Sequence, residues 1–451
     1  MALGEEVTLT IERMGQSGDG VARMADGRLA FVPGALPGEW VRARVIEERR
    51  HFVRASVTHR TVSSPERVKP VCPIVSQCGG CVFQHWDYRA ELAYKENRVR
   101  QALLRVALSD RPVQAIRASS DPYAYRNKGQ FPVGGSAGHI VLGLYRRGTH
   151  EVVAAAHCDI QDPWVNQALA IVGPALSESG LPPWRDSDRT GILRHVLIRS
   201  SHREKRVLVL LIVSAFHPAL SRVAHDIRRR LPLIAGVGAN INPHPGNRVL
   251  GAETTVLSGE PYITDAILGL TFRISFTSFF QVNPDQAAVL YNTALSFLPH
   301  RCEEIWDLYA GVGTLAALAS ERARTVRALE AHPQAIHDAK ENFALNHLEN
   351  IEIEAGRVED IMARWIRGDR KPPGAVIVDP PRSGLDGRVI DHLIALKPAQ
   401  IVYVSCNPET WARDLTRLAP HYGLEKAAPV DMFPRTDHVE VASGLVLQYG
   451  Q

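Results

Sequence analysis

The alternation of apolar and polar residues changes character along the chain, and each change predicts a different architecture. Over 5–60, "EVTLTIERMG" and "WVRARVIEER" alternate apolar with polar positions, while "SGDG", "ADGR" and "PGALPGE" supply turns. Several short strands in so short a span predict a small β-barrel. Residues 61–85 carry proline and cysteine with no period. From Tyr88 to Leu108 the apolar Leu92, Val99, Leu103 and Val106 fall at helical spacing. Across 113–270, "HIVLGLYRR", "ILRHVLIRSS" and "KRVLVLLIVS" read as strands, with one helix near 218–230, predicting an α+β domain. After Thr271 strands and helices alternate: "EEIWDLYAGVGTLAALAS", "TVRALEAH", "PQAIHDAKENFALNH", "AVIVDPPRSG" and "IVYVSCNPETWARDLTRL". Such alternation predicts a mostly parallel, doubly wound sheet. The expected division is 1–62, 63–270 and 271–451.

Composition narrows the class. The 451 residues are 45% hydrophobic and 22% charged, as in ordinary globular proteins. The apolar run 207–213 is far shorter than the ~20 residues of a membrane helix. The opening "MALGEEVTLTIERMG" has acids and no signal-peptide core. A cytoplasmic protein with no membrane partner is expected. The net charge of +4 admits nucleic acid without demanding it. Charge concentrates at 44–60, where Arg44, Arg49, Arg50, Arg54 and Arg60 form either a solvated face or a phosphate-tracking patch.

Chemistry gathers at the strand ends of the last domain. Asp307, Glu330, Asp379 and Cys406 each close a predicted strand, and ligands bind outside the carboxyl ends of parallel strands. Gly311 and Gly313 sit between a strand and a helix, where the backbone must turn sharply or admit a ligand. The spacing fits NAD or S-adenosylmethionine, with Glu330 placed for ribose hydroxyls. An NAD enzyme has no need of a thiol and a rigid Asp-Pro-Pro on that rim. A methyltransferase acting on a weakly nucleophilic carbon needs both.

The motifs "FTSFFQVNPDQ", "DLYAGVGT", "VDPPRSGL", "SCNPETWARD" and the late "HVE" resemble, in order and spacing, those of the RNA uracil-5 methyltransferase family. "YRNKGQF" at 125–131 extends the match upstream, and the first sixty residues resemble a TRAM domain. The resemblance implies a Rossmann-like S-adenosylmethionine methyltransferase domain after a small barrel and a central α+β domain. It implies that Cys406 is the nucleophile that adds to carbon 6 of uracil, and that Glu440 removes the proton from carbon 5. It assigns Gln281, Tyr309, Gly311, Gly313, Thr314, Glu330 and Asp379 to the cofactor. Thr314 stands where some relatives carry Asn. Arg126, Lys128 and Arg382 are the expected RNA contacts, with Tyr125 and Phe131 interleaved as stacking surfaces. Phe279 and Phe280 are either base-pocket lining or core.

Cysteines cluster as Cys72-x5-Cys78-x2-Cys81, and Cys158 is a possible fourth ligand. Spacing alone fits zinc or an iron–sulfur cluster. The pattern resembles the [4Fe–4S] site of the ribosomal branch of the family, and with the TRAM-like barrel it implies a 23S ribosomal RNA substrate; a monomeric enzyme is expected. The competing expectations are the same chemistry on a tRNA uridine, a cytosine-5 methyltransferase, and a non-catalytic RNA-binding assembly factor.

Overall fold

The computed structural model describes residues 3–106, 113–368 and 370–448. The first strands, Glu6–Thr10, Arg13–Met14, Gly20–Arg23, Leu29–Val32, Trp40–Glu48 and Phe52–Val62, form one sheet. Along Trp40–Glu48 the pleat turns Val41, Ala43 and Val45 inward and Arg42 and Arg44 outward. The sheet curls until Glu6–Thr10 touches Gly20–Arg23, with three strands between them in sheet order. Its arginines do not form a free cationic stripe. Arg44 pairs with Glu6, Arg49 with Glu47, Arg54 with Asp19 and Arg60 with Glu39.

The helix Tyr88–Leu103 begins at an Asp87 cap that accepts from the Arg89 and Ala90 amides. The end of the expected helix, 107–108, lies outside the described residues. Its buried Val99, Ala102 and Leu103 join the core of the last sheet, over 200 positions away in sequence.

The central sheet runs, in spatial order, Glu253–Gly259, Ile234–Ile241, Arg206–Val213, Leu193–Ser201, Lys128–Ser136, His139–Tyr145 and Val152–Ala154. Two helices pack on it, Pro163–Glu178 and Ala219–Arg230. The sequence pattern predicts only the second. Pro163–Glu178 is apolar around much of its girth and contains Gly173 and Pro174, so it shows no clean helical stripe. Its start is marked all the same by the Asp162 cap and Pro163 in the first turn.

The last sheet is doubly wound. Its order is Ile351–Ala355, Ala323–Glu330, Cys302–Leu308, Ala375–Val378, Gln400–Ser405, Glu440–Leu447 and Tyr422–Val430. The first five strands are parallel, and Glu440–Leu447 runs against them. Alternate residues feed two cores: Ile401 and Tyr403 one, Val402 and Val404 the other. The carboxyl ends of four parallel strands therefore deliver Asp307, Glu330, Asp379 and Cys406 to one rim. No helix among the described residues is long and apolar enough to cross a membrane.

Candidate active site

The glycine loop after Cys302–Leu308 needs its glycines. Gly311 and Gly313 have φ of 57° and 83°, and a Cβ on Gly313 would lie 2.5 Å from the Phe343 ring. Tyr309 holds a left-handed backbone at φ 73° without being glycine. Glu330 braces the turn: Oε2 accepts from the Gly311 amide at 2.8 Å, and Oε1 accepts from the Ala331 and His332 amides. Beside the loop opens a cavity of about 630 Å³ whose walls include Tyr309, Leu329, Glu330, Val358, Pro381 and Ile390. Its apolar wall of Leu329, Val358, Pro381 and Ile390 suits a flat purine, and among its charged residues, which include Arg357, Glu359, Asp386 and Arg413, Glu330 is placed for the ribose.

Deeper in, three carboxyl groups crowd together. Asp307 is 1% exposed, and no side chain hydrogen-bonds to it; only the Ala316 amide approaches. Burial, then the charge of Asp379, pushes it up to about 7, and burial does the same to Asp379. Glu440 is pushed up to about 8 by burial and then by Asp379, against the pull of Arg382. Tyr291 lies among the same acids, and the Gln281 side chain reaches it. Asp307 and Asp379, buried with no cation acting on either, fit a ligand that brings positive charge, as an ammonium or a sulfonium does. The expected cofactor residues thus fall into two groups. Tyr309 and Glu330 line the large cavity, whereas Gln281 and Asp379 sit at the acid cluster. Thr314 is buried at the first position of the helix Thr314–Ala319. Asp307 is legible in the sequence only as a strand-end acid on the rim, and nothing local distinguishes Tyr291 from a core residue.

Cys406 follows the strand Gln400–Ser405, and Asn407 then caps the helix Pro408–Leu418 with Pro408 in its first turn. The antiparallel partner strand pairs Ser405 with Val441, so Glu440 comes opposite Cys406 at the next step. A cavity of about 170 Å³ at the thiol is lined by Arg98, Arg382, Asn407, Asp437, His438 and Val439. Burial, then Glu440 and Asp379, pushes the thiol up to about 11, and Arg382 works against them. The Arg382 guanidinium lies 3.2 Å from His438 Nε2. Arg98 reaches the Glu409 carboxylate and the Asp437 carbonyl. Arg98 and His438 escaped sequence reasoning, since one comes from a distant helix and the other from a loop with no period.

The remaining expectations divide. Tyr125 is buried with its hydroxyl donating to the Pro434 carbonyl, and Phe131 is fully buried in the central core. Neither is placed to stack a base, which corrects the reading of "YRNKGQF" as an aromatic RNA platform. Arg126 folds back to donate to the Lys128 carbonyl, and burial pushes the Lys128 ammonium down to about 7. Phe279 is 62% exposed while Phe280 lies in the core. Cys72, Cys78, Cys81 and Cys158 line one small cavity with Ile74 and Ile160. Burial pushes Cys81 up to about 12 and Cys158 to about 11. Among the described residues no group of three or more His, Cys, Asp or Glu converges closely enough, as it stands, to hold a metal ion.

Comparison with known proteins agrees with this geometry. The family described as tRNA (Uracil-5-)-methyltransferase matches residues 263–449, and the TRAM domain matches 2–58. A protein of Oceanobacillus iheyensis named an uncharacterized RNA methyltransferase is 36% identical over 450 residues, covering 98% of this chain and 97% of its own. One from Halalkalibacterium halodurans with the same description is 36% identical over 453 residues, again covering 98% and 97%. The crystal structure of Pyrococcus abyssi tRNA (uracil-54, C5)-methyltransferase in complex with S-adenosyl-L-homocysteine superimposes with a TM-score of 0.79 at 25% identity, over 97% of this chain and 99% of that one. With a thiol, a carboxyl group and a cofactor-sized cavity meeting on one rim, the chain belongs to the RNA uracil-5 methyltransferase family and is an S-adenosylmethionine-dependent RNA methyltransferase with an N-terminal TRAM domain.

Proposed function

We propose that this chain, acting as a cytoplasmic monomer, methylates carbon 5 of a uridine in 23S ribosomal RNA, with Cys406 as nucleophile and Glu440 as base. The observation that carries the chemistry is the placement of Cys406 opposite Glu440, with Arg382 beside both. S-adenosylmethionine, when bound, supplies an electrophilic methyl group. Glu330 and Tyr309 would hold its ribose end, and Asp307 and Asp379 its cationic end.

Cys406 Sγ adds to carbon 6 of the uracil, and the carbon 5–carbon 6 π pair becomes an enolate with density at carbon 5. Carbon 5 takes the methyl group as the sulfur–methyl bond breaks. Glu440 accepts the proton left on carbon 5, and expulsion of the Cys406 thiolate restores the double bond. Arg382 favours the thiolate over the thiol. The target base leaves its stack to enter the cavity at Cys406, and Arg126, Lys128 and Arg382 are the proposed RNA contacts.

Four thiols on one cavity match the donor set of a [4Fe–4S] cluster, which Cys72, Cys78, Cys81 and Cys158 would hold. Methyl transfer moves no electron, so the cluster's part is structural. Anaerobic purification should give a brown protein with iron and sulfide, and a colourless protein with stoichiometric zinc would sink the assignment.

The ribosomal substrate is supported by the TRAM domain together with the four-cysteine cavity. A tRNA uridine is the second reading, favoured by the likeness to the Pyrococcus tRNA enzyme. Mapping 5-methyluridine in a deletion strain decides between them: loss from 23S RNA is expected, and loss from tRNA alone would overturn the substrate.

A further inference from the structure

The loop 431–439 joins Tyr422–Val430 to the strand that begins at Glu440, and its Asp437, His438 and Val439 wall the Cys406 cavity. It has no regular structure of its own, so something outside must hold it. Asp431 accepts from Lys95 Nζ and from the Tyr88 hydroxyl, each at 2.7 Å. The Phe433 carbonyl accepts from Lys95, and the Pro434 carbonyl from Tyr125.

Arg435 is the most constrained residue of the loop. Its backbone is left-handed at φ 68°, an unfavourable state for a side-chain-bearing residue that surrounding contacts must enforce. Its amide donates to Glu91 Oε1, and its carbonyl accepts from both the Val82 and Phe83 amides, at 3.0 and 3.1 Å. The side chain is 8% exposed, and its guanidinium donates to the Trp86 carbonyl and Glu91 and lies against the Tyr88 and Tyr123 rings. Val82 and Phe83 directly follow Cys81. Tyr123 and Cys81 pack against the small apolar cluster of Tyr125, Cys158 and Ile160. One residue therefore joins the cysteine-bearing segment to the loop that ends in Glu440.

We propose that Arg435 is a positioning residue through which the cysteine-bearing segment 78–83 sets the place of His438 and Glu440 at the Cys406 cavity. The inference rests on the methyltransferase reading for its kinetic consequence but not for its structural one. A pocket that is ordered at the cysteines holds the Val82 and Phe83 amides in place. Those amides hold the Arg435 carbonyl, and the four residues 436–439 are too few to absorb a shift before Glu440.

The test compares Arg435→Gly, which keeps the left-handed backbone and removes the guanidinium, with Arg435→Lys, Cys81→Ser and the Arg435→Gly/Cys81→Ser double variant, all in the full chain. Amide hydrogen exchange over 436–440, read without RNA, should quicken roughly tenfold in both single glycine and serine variants, with little added in the double. Exchange in the strand Cys302–Leu308 should stay as in the wild type. With tritiated S-adenosylmethionine and RNA lacking 5-methyluridine, kcat should fall roughly tenfold or more in Arg435→Gly while the KM for S-adenosylmethionine holds. Arg435→Lys should recover part of the kcat. Wild-type exchange over 436–440 in Arg435→Gly, or additive effects in the double variant, would overturn the proposal. A wild-type protein that transfers no methyl group counts against the methyltransferase reading alone, because the exchange measurement uses no RNA.

Discussion

Cys406 and Glu440 each lie one residue beyond the Ser405–Val441 register pair of two antiparallel strands, and the Glu440 charge reaches the thiol. The register of two strands, not a flexible loop, brings the thiol and the carboxyl group near each other, as the proposed roles of nucleophile and base require. The two roles should therefore separate cleanly by mutation. Cys406→Ala should abolish both methylation and covalent trapping on 5-fluorouracil-containing RNA. In Glu440→Gln, Cys406 should still add to carbon 6 and carbon 5 should still take the methyl group, but turnover should fall roughly 10²–10⁴-fold, leaving RNA–protein adducts stable on a denaturing gel. Adducts absent from Glu440→Gln would show that Glu440 acts before proton removal.

The pH dependence follows from the same pair. Glu440 acts as a base only when ionised, and its carboxyl is pushed up to about 8. Thiolate formation at Cys406, pushed up to about 11, also favours higher pH. Turnover should rise from pH 6 through about 8. A rate flat over that span would place the limiting step elsewhere.

Arg382 opposes the upward shift of the Cys406 thiol. Replacing it with methionine removes that charge and raises the thiol further, leaving less thiolate at any given pH. Iodoacetamide should alkylate Cys406 more slowly in Arg382→Met than in the wild type at pH 8.5, as peptide mapping by mass spectrometry will show.

The buried acids make a stability prediction with a definite sign. Asp307, Asp379 and Glu440 ionise more readily in the unfolded chain, near 4, than in the folded one, near 7 to 8. Their contribution is fully present below about pH 4 and is lost as pH rises through 7 to 8. The thermal midpoint of the ligand-free protein should fall between pH 6 and 8.5, and S-adenosylmethionine should offset the fall. Asp307→Asn should flatten the pH dependence while weakening cofactor binding by calorimetry.

Gly313→Ala would force a Cβ to 2.5 Å from the Phe343 ring at a residue with φ 83°. A loss of about 1–3 kcal/mol in denaturant unfolding is expected, together with weaker S-adenosylmethionine binding as the loop shifts from Glu330.

What was legible in the sequence was whatever is written locally. The parallel sheet shows itself through short apolar strands, each stopped by Gly, Pro or Asn, and the stops are what put Asp307, Glu330, Asp379 and Cys406 on one rim. Pro163–Glu178 was missed because an apolar helix with a proline inside it has no one-sided stripe. Tyr125 and Phe131 beside Arg126 and Lys128 read as a surface platform, yet their environment is decided by elements that pair only in three dimensions. The arginines of 44–60 likewise gave no sign that acids at positions 6, 19 and 39 would meet them.

The pairing of Lys95 with Asp431, 336 positions apart, has a consequence for how the protein is made. While the ribosome is still extending the chain, the helix Tyr88–Leu103 emerges with Glu91 and Lys95 on the face that will be buried, and their remaining partners do not yet exist. That face must stay wet, or be sheltered by a chaperone, until Asp431 and Arg435 arrive. The cavity at Cys406 is thus closed only near the end of synthesis, and a chain truncated before residue 431 would leave Glu91 and Lys95 with only each other as partners.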